Sequence, residues 1–139
     1  MSFILDASVT LCWCFENQAN DYSEAIFGML AGGEEAIAPF IWPIEVANVL
    51  VRAEKRKSLN LAQVTGFLEE LCAWPIQVDS LGVDRAFQQI LSTARYYNLT
   101  TYDAAYLELA VRQGLPLATL DDNLRKAADA AGVPLAGIR

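Results

Sequence analysis

The sequence alternates between short apolar runs and amphipathic segments along almost its whole length, and this alternation restricts the possible folds more than any other feature. Short apolar runs bounded by turn residues are typical of buried strands, whereas an apolar repeat of ~3.6 residues predicts helices. We expect strands at residues 3–5, 35–40, 75–80, 117–119 and 133–137. We expect helices within residues 7–15, 20–33, 42–58, 61–73, 82–97, 101–114 and 121–131. This order indicates an α/β fold with a mainly parallel central sheet flanked by helices.

The length and apolar content of the chain predict one domain spanning residues 1–139. With 54% hydrophobic residues, the chain can bury a sizeable core, and we find no internal repeat, low-complexity run or linker. No apolar run approaches the ~18–20 residues needed to cross a bilayer. The first strand begins without the basic segment and long apolar core of a signal peptide. We therefore expect a cytoplasmic protein.

The chain contains no histidine, which excludes the Ser-His and Cys-His nucleophile systems and every His-ligated zinc site. Cys12, Cys14 and Cys72 lie in apolar helical segments and are expected to be reduced core thiols rather than a disulfide framework. Any catalysis must therefore use carboxylates, a metal ion, or both.

The net charge of −7 argues against a polyanionic partner, unless several acids are clustered and neutralised by cations. The basic residues are concentrated at the end of the helix predicted from residue 42, where they complement the helix dipole: Arg52, Lys55, Arg56 and Lys57.

Four acids stand directly after strands or in the first turns of helices: Asp6, Glu45, Asp103 and Asp121. Taken singly, the position of each acid can be explained by helix capping or by a favourable interaction with the helix dipole. In a parallel sheet, however, the carboxyl ends of the strands and the starts of the following helices share one edge, where ligand sites form. Two carboxylates ~4 Å apart repel by ~4 kcal/mol at an effective dielectric of ~20, so a cluster requires protons or a cation. Oxygen ligands select Mg²⁺ or Mn²⁺, whose chemistry suits hydrolysis of phosphodiesters by metal-activated water.

The segments that carry these acids resemble the motif blocks of PIN-domain proteins, and most closely the VapC-type ribonuclease toxins of bacterial toxin–antitoxin pairs. In chain order the segments are ILDASV, PIEVANVL, LTTYDAAYLELA and PLATLDDNLRKAA. The resemblance covers essentially the whole chain. It implies a Mg²⁺- or Mn²⁺-dependent endoribonuclease that cuts single-stranded RNA or exposed RNA loops. It also implies a homodimer and a cognate antitoxin whose C-terminal segment blocks the acidic groove.

The resemblance assigns roles to individual residues. The metal-binding, catalytic acids carry over to the four named above: Asp6, Glu45, Asp103 and Asp121. Three further polar residues match positions that orient carboxylates or water around such a site: Ser8, Asn48 and Thr119. Capping and simple solvent exposure remain open for these three. Glu108 is expected to be a solvated side chain, and Asp122 to complement the helix dipole.

Two other functions remain open. A haloacid-dehalogenase-like phosphatase also places an acid where Asp6 stands and an acidic pair like Asp121 and Asp122. That family expects a second aspartate where this chain has Ser8, and a lysine that we cannot place; a phospho-acceptor receiver domain fails for similar reasons. The other alternative is a non-catalytic module, in which the acids cap helices or hold a structural cation. Trp13, Phe15 and Trp42 are either core residues or the lining of a groove for a partner or for RNA bases.

Overall fold

The central sheet has four parallel strands in the order β3-β2-β1-β4, as the alternation of strands and helices predicted. The computed structural model describes residues 1–80 and 82–138. The strands are β1 (Ser2–Leu5), β2 (Glu35–Ala38), β3 (Ile76–Val78) and β4 (Leu117–Ala118). Ile4 pairs with Ile37 of β2 on one side and with Leu117 of β4 on the other. Because β2 and β4 extend the sheet in opposite directions from β1, the topological switch point lies beside β1, where α/β folds form ligand crevices.

The helices follow the predicted segments closely. They are α1 (Ala7–Cys12), α2 (Asp21–Ala31), α3 (Trp42–Lys55), α4 (Leu61–Ala73), α5 (Val83–Arg85), α6 (Leu91–Tyr97), α7 (Thr101–Gln113) and α8 (Asp122–Ala130). A 3₁₀ turn spans Glu16–Gln18, and a π-helical turn, Ala86–Ile90, joins α5 to α6. Asn20 and Asn60 form reciprocal capping boxes at the starts of α2 and α4.

The predicted strand at residues 133–137 is wrong. Only Leu135 forms an isolated bridge, with Leu117. Pro134 has no N–H to donate, and Gly137 adopts a left-handed conformation with φ of 77°. The extended backbone therefore stops after one bridge.

The core is built around β1 and α7. Phe3, Ile4 and Leu5 of β1 are completely buried, and α7 is buried continuously from Ala104 to Ala110. A helix buried on all sides has little freedom to tilt, because its neighbours pack against it all round. The first turn of α7 is therefore held firmly relative to the end of β1. Within the described ranges, no helix is both long and apolar enough to cross a membrane.

Two expectations about single side chains on helices are wrong. Glu108 is only 7% exposed, because α7 has no solvated face at this point. Its carboxylate accepts hydrogen bonds from Arg85 Nη1 at 2.8 Å and Arg112 Nε at 2.9 Å, which offset the cost of burying the charge. Cys12 is buried and Cys14 partly buried, but Cys72 is exposed, since it follows the core residue Leu71 by one helical step.

Candidate metal centre

The four acids come from different elements but approach one another at the carboxyl edge of the sheet. Asp6 follows β1, Glu45 lies in the first turn of α3, Asp103 in the first turn of α7, and Asp121 is the N-cap of α8. Their charges act on one another: Asp121 and Asp6 raise the pKa of Asp103, and Asp6 and Asp103 raise that of Glu45. The structure therefore brings all four into one electrostatic neighbourhood.

Asp6 is held by two hydroxyl groups and does not cap α1 with its side chain. Its Oδ2 accepts hydrogen bonds from Ser8 Oγ and Thr119 Oγ1, each at 2.7 Å. Burial raises the pKa of this carboxyl, and the two hydroxyl bonds act in the opposite direction. Ser8 Oγ also accepts from the backbone N–H of Leu120 at 3.0 Å, and Thr119 Oγ1 from that of Asp121 at 3.1 Å. The hydroxyls thus connect the end of β1 to the loop after β4.

Glu45 is held by Tyr106, which the sequence analysis did not assign to the site. The Tyr106 hydroxyl donates a hydrogen bond of 2.6 Å to Glu45 Oε1, and the tyrosine is completely buried. Burial raises the pKa of Glu45, although this hydrogen bond counteracts the rise. Burial also raises the pKa of Tyr106 far above its ordinary value, so the phenol keeps its proton and acts as the donor. Its position three residues after Asp103, on the same side of a predicted helix, was the available signal.

The side chain of Asp121 caps a helix, whereas that of Asp103 does not. The Asp103 N–H donates to Thr100 Oγ1 at 3.2 Å, so the cap of α7 uses the Asp103 backbone and the Thr100 side chain. Burial raises the pKa of the Asp103 carboxyl to about 6, with further contributions from Asp121 and Asp6. Asp121 does cap α8, because its Oδ2 accepts from the Leu124 N–H at 3.0 Å. For Asp121, capping and a place in the acidic cluster are therefore compatible.

A buried hydrogen-bonded chain joins the helices that carry Asp6 and Glu45. The indole N–H of Trp42 donates to Thr10 Oγ1 at 2.9 Å, and the Thr10 hydroxyl donates to the Asp6 carbonyl at 3.2 Å. Trp42 is therefore a core residue. Asn48, three residues after Glu45 on α3, is exposed and makes no side-chain hydrogen bond within the described ranges.

The chemistry of these donors fits a hard divalent cation. All four side chains offer carboxylate oxygens, and burial raises the pKa values of Asp6, Glu45 and Asp103, so negative charge on these three is costly without a counter-ion. In the part of the chain that the structure describes, no three acidic or thiol side chains converge closely enough to enclose an ion on their own.

A groove of about 910 Å³ lies between the end of α1 and helices α3 and α4, and none of the four acids lines it. Trp13, Phe15, Val49 and Phe67 supply apolar lining, so two of the three aromatic residues considered above face a groove. Its charged residues are mixed in sign: Arg52, Arg56, Glu16 and Glu70. This pattern suits an amphipathic peptide better than a uniformly charged ligand.

Comparisons with known proteins are consistent with these observations. The family model described as "PIN domain" matches residues 3–130. The fold is similar to PAE2754 from Pyrobaculum aerophilum, with a TM-score of 0.68, 21% identity, and coverage of 91% of this chain and 79% of that one. It is also similar to VapBC2 from Rickettsia felis, solved with a promoter DNA fragment. There the TM-score is 0.67, the identity 12%, and the coverage 97% of each chain. For FitAcB from Neisseria gonorrhoeae the TM-score is 0.52 and the identity 20%, with coverage of 97% of this chain and 96% of that one. No curated protein matches the chain by sequence.

Proposed function

This chain belongs to the PIN-domain family, and on that premise we propose that it is a divalent-metal-dependent endoribonuclease acting as the toxin of a type II toxin–antitoxin pair. PIN domains are generally nucleases. The observation that carries the proposal is the approach of four carboxylates from different elements at the switch point of the sheet. Burial is the largest cause of the raised pKa values of Asp103 and Glu45, and the neighbouring acids add to it: Asp121 and Asp6 for Asp103, Asp6 and Asp103 for Glu45. Such an arrangement is unfavourable unless a cation is recruited.

In this proposal the residues around the acids prepare the site for the ion. Asp6, Glu45, Asp103 and Asp121 hold Mg²⁺, with Mn²⁺ as a substitute, and the bound ion supplies a water nucleophile and stabilises charge on the phosphoryl oxygens. Ser8 and Thr119 orient the Asp6 carboxylate through its Oδ2. Asn48 is proposed to contact water or RNA from the exposed side of α3. The site needs no histidine, and the chain has none.

The proposed partners are RNA, an antitoxin and a second copy of the chain. An antitoxin is supported by the fold similarity to VapBC2 and FitAcB, although that similarity alone shows only the fold. The groove between the end of α1 and helices α3 and α4, with its apolar lining and mixed charges, has the character of a peptide-binding surface. Co-purification with the product of an adjacent small reading frame, tested by separate affinity tags, is the direct check on this partner.

RNA cleavage tests the catalytic proposal. We expect the purified chain to cut single-stranded RNA with Mg²⁺ or Mn²⁺ and to stop in excess EDTA. Replacing Asp6 or Asp103 with asparagine should reduce cleavage by ~100-fold or more while the far-UV circular dichroism is unchanged, because a ligand is lost without a change of volume. Asp122→Asn is the matched control, since Asp122 is an exposed acid in the first turn of α8.

Full activity of both asparagine variants, or undiminished cleavage in EDTA, would reject the proposed metal-dependent mechanism. Absence of any RNA cleavage by the wild type with Mg²⁺ or Mn²⁺ would favour the non-catalytic module. Turnover of p-nitrophenyl phosphate without any RNA cleavage would favour the phosphatase. That second function has weak structural support, because Ser8 stands where its general acid is expected and instead donates to Asp6 Oδ2.

A further inference from the structure

We propose that Tyr106 is a positioning residue of the metal centre, whose hydroxyl holds the Glu45 carboxylate in the orientation that binds a divalent ion. The inference rests on the proposed function for the identity of the ion. It concerns a residue of the α7 core that touches Glu45 and would not itself contact metal or RNA.

The contact is short, buried and charge-assisted. The distance from Tyr106 Oη to Glu45 Oε1 is 2.6 Å, which is in the range of O–H donors bound to ionised carboxylates. Tyr106 is completely inaccessible to solvent. Solvent therefore does not compete for the phenol end of this hydrogen bond.

Packing alone does not explain a hydroxyl group at this position. A phenylalanine would occupy the same core space without a polar atom that needs a partner, and a buried hydroxyl left unpaired costs free energy. Across residues 1–80 and 82–138, Glu45 Oε1 is the acceptor that satisfies the Tyr106 hydroxyl. The phenol therefore has a specific role at the end of α3.

Glu45 depends on this one contact for its orientation. In the described part of the chain its carboxylate receives a hydrogen bond from no other side chain, whereas Asp6 receives two. Glutamate has one more rotatable bond than aspartate and loses more side-chain entropy when it is fixed. Tyr106 removes that freedom before the ion binds, and the bond to Oε1 directs the ligating role to Oε2.

The position of Tyr106 on α7 extends its effect to the whole centre. Asp103 lies three residues earlier on the same helix, so one turn of α7 carries an acid of the cluster and the residue that orients another. The buried segment from Ala104 to Ala110 keeps this turn in place. Asp103 and Glu45 are thereby positioned relative to each other through one rigid element.

The first measurement is Mn²⁺ binding to the full chain in the absence of RNA, followed by electron paramagnetic resonance. Tyr106→Phe should weaken Mn²⁺ affinity by ~10- to 100-fold, as is typical for residues that orient metal ligands. The Mn²⁺ concentration for half-maximal RNA cleavage should rise by the same factor, while kcat at saturating Mn²⁺ stays within about threefold of the wild type. Tyr22→Phe is the matched control, because it loses a 2.8 Å phenol hydrogen bond to the Ala136 carbonyl instead.

A double-mutant cycle separates positioning from general destabilisation. If Tyr106 acts through Glu45, Tyr106→Phe should have no further effect on Mn²⁺ affinity when Glu45 is already alanine, which removes the acceptor of the phenol hydrogen bond. The rise in Tm caused by Mn²⁺ reports the affinity of each variant even when the starting stabilities differ. Unchanged affinity in Tyr106→Phe, an equal loss in Tyr22→Phe, or full additivity in the cycle would overturn the inference. Loss of Mn²⁺ affinity in a protein that never cleaves RNA would instead reject the proposed function and leave the positioning role supported.

Discussion

At the scale of single residues, two of the four acids are restrained by neutral hydroxyl groups. Ser8 and Thr119 hold Asp6, and Tyr106 holds Glu45. Neutral donors orient a carboxylate without cancelling its charge, whereas an arginine or lysine partner would compete with a cation for it. No basic side chain neutralises Asp6 or Glu45 through these contacts, and burial raises the pKa of both carboxyls, so ionising them costs free energy when no counter-ion is bound.

The raised pKa of Asp103 predicts that the stability of the metal-free protein depends on pH. The pKa of Asp103 is raised from 3.8 to about 6 in the folded chain, mainly by burial. Its contribution to stability is therefore fully present below pH 3.8 and is lost as the pH rises through about 6. We expect Asp103→Asn to make the metal-free protein more stable than the wild type by about 1–2 kcal/mol at pH 7.5, after allowance for partial solvation.

Urea unfolding in EDTA at pH 4 and pH 7.5 measures this effect. The stability difference between Asp103→Asn and the wild type should grow with pH over this range, and added Mg²⁺ should reverse it at pH 7.5 by binding only the wild-type site. The same experiment on Asp122→Asn controls for loss of an exposed negative charge. A constant difference at both pH values would contradict the prediction.

At the scale of elements, the effect of a glycine substitution on stability depends on the backbone conformation at that position. Gly66 lies inside α4, and a Cβ built there meets no atom within 4 Å. Gly132 follows α8 with φ of 77°, a left-handed conformation that side chains other than glycine adopt at a cost. The same chemical change should therefore have opposite effects at the two positions.

We expect Gly66→Ala to raise the free energy of unfolding by ~0.5–1 kcal/mol, because alanine has the higher helix propensity. Gly132→Ala should lower it by about 1 kcal/mol through left-handed strain. Chemical denaturation of the two variants side by side provides the measurement. Destabilisation by Gly66→Ala would mean that the exposed face of α4 makes a contact which the described chain does not contain.

At the scale of the whole molecule, the exposed apolar surface supports the proposed homodimer. Large apolar side chains remain exposed on the segment from α5 to α7, and they are Val83, Phe87, Tyr96, Tyr102 and Val111. Phe87 is 71% exposed on the π-helical turn. A contiguous patch of exposed apolar side chains is typical of association surfaces, and we propose this segment as the dimer contact.

We expect Phe87→Asp to shift the chain towards the monomer by at least ~10-fold in dimer dissociation constant, because a charge would be buried in the interface. Sedimentation velocity over a range of concentrations gives the constant. Leu61→Asp is the control: Leu61 is 73% exposed but stands at the start of α4, away from this segment in the chain and where an acid favours the helix. A wild type that is monomeric throughout, or an equal effect of Leu61→Asp, would contradict the prediction.

The strand and helix pattern and the approach of the four acids were accessible from the sequence because they depend on local rules. Apolar periodicity reports which backbone conformation buries a segment, and parallel connections place the ends of strands on one edge. The strand expected at residues 133–137 failed because one proline and one glycine interrupt it, a detail that the apolar pattern does not encode. The metal-binding roles of the acids remain predictions.

By itself, the sequence determined the order of strands and helices, the absence of histidine chemistry and the positions of the acids at element ends. Only the tertiary structure decided that Tyr106 bonds Glu45, 61 residues away in the chain, that Glu108 is buried between two arginines, and that Trp13 and Phe15 face a groove. The physical reason is that periodicity reports which side of a helix is apolar. The partner that a particular polar atom meets depends on how α3, α5 and α7 pack, and that is a property of the assembled core.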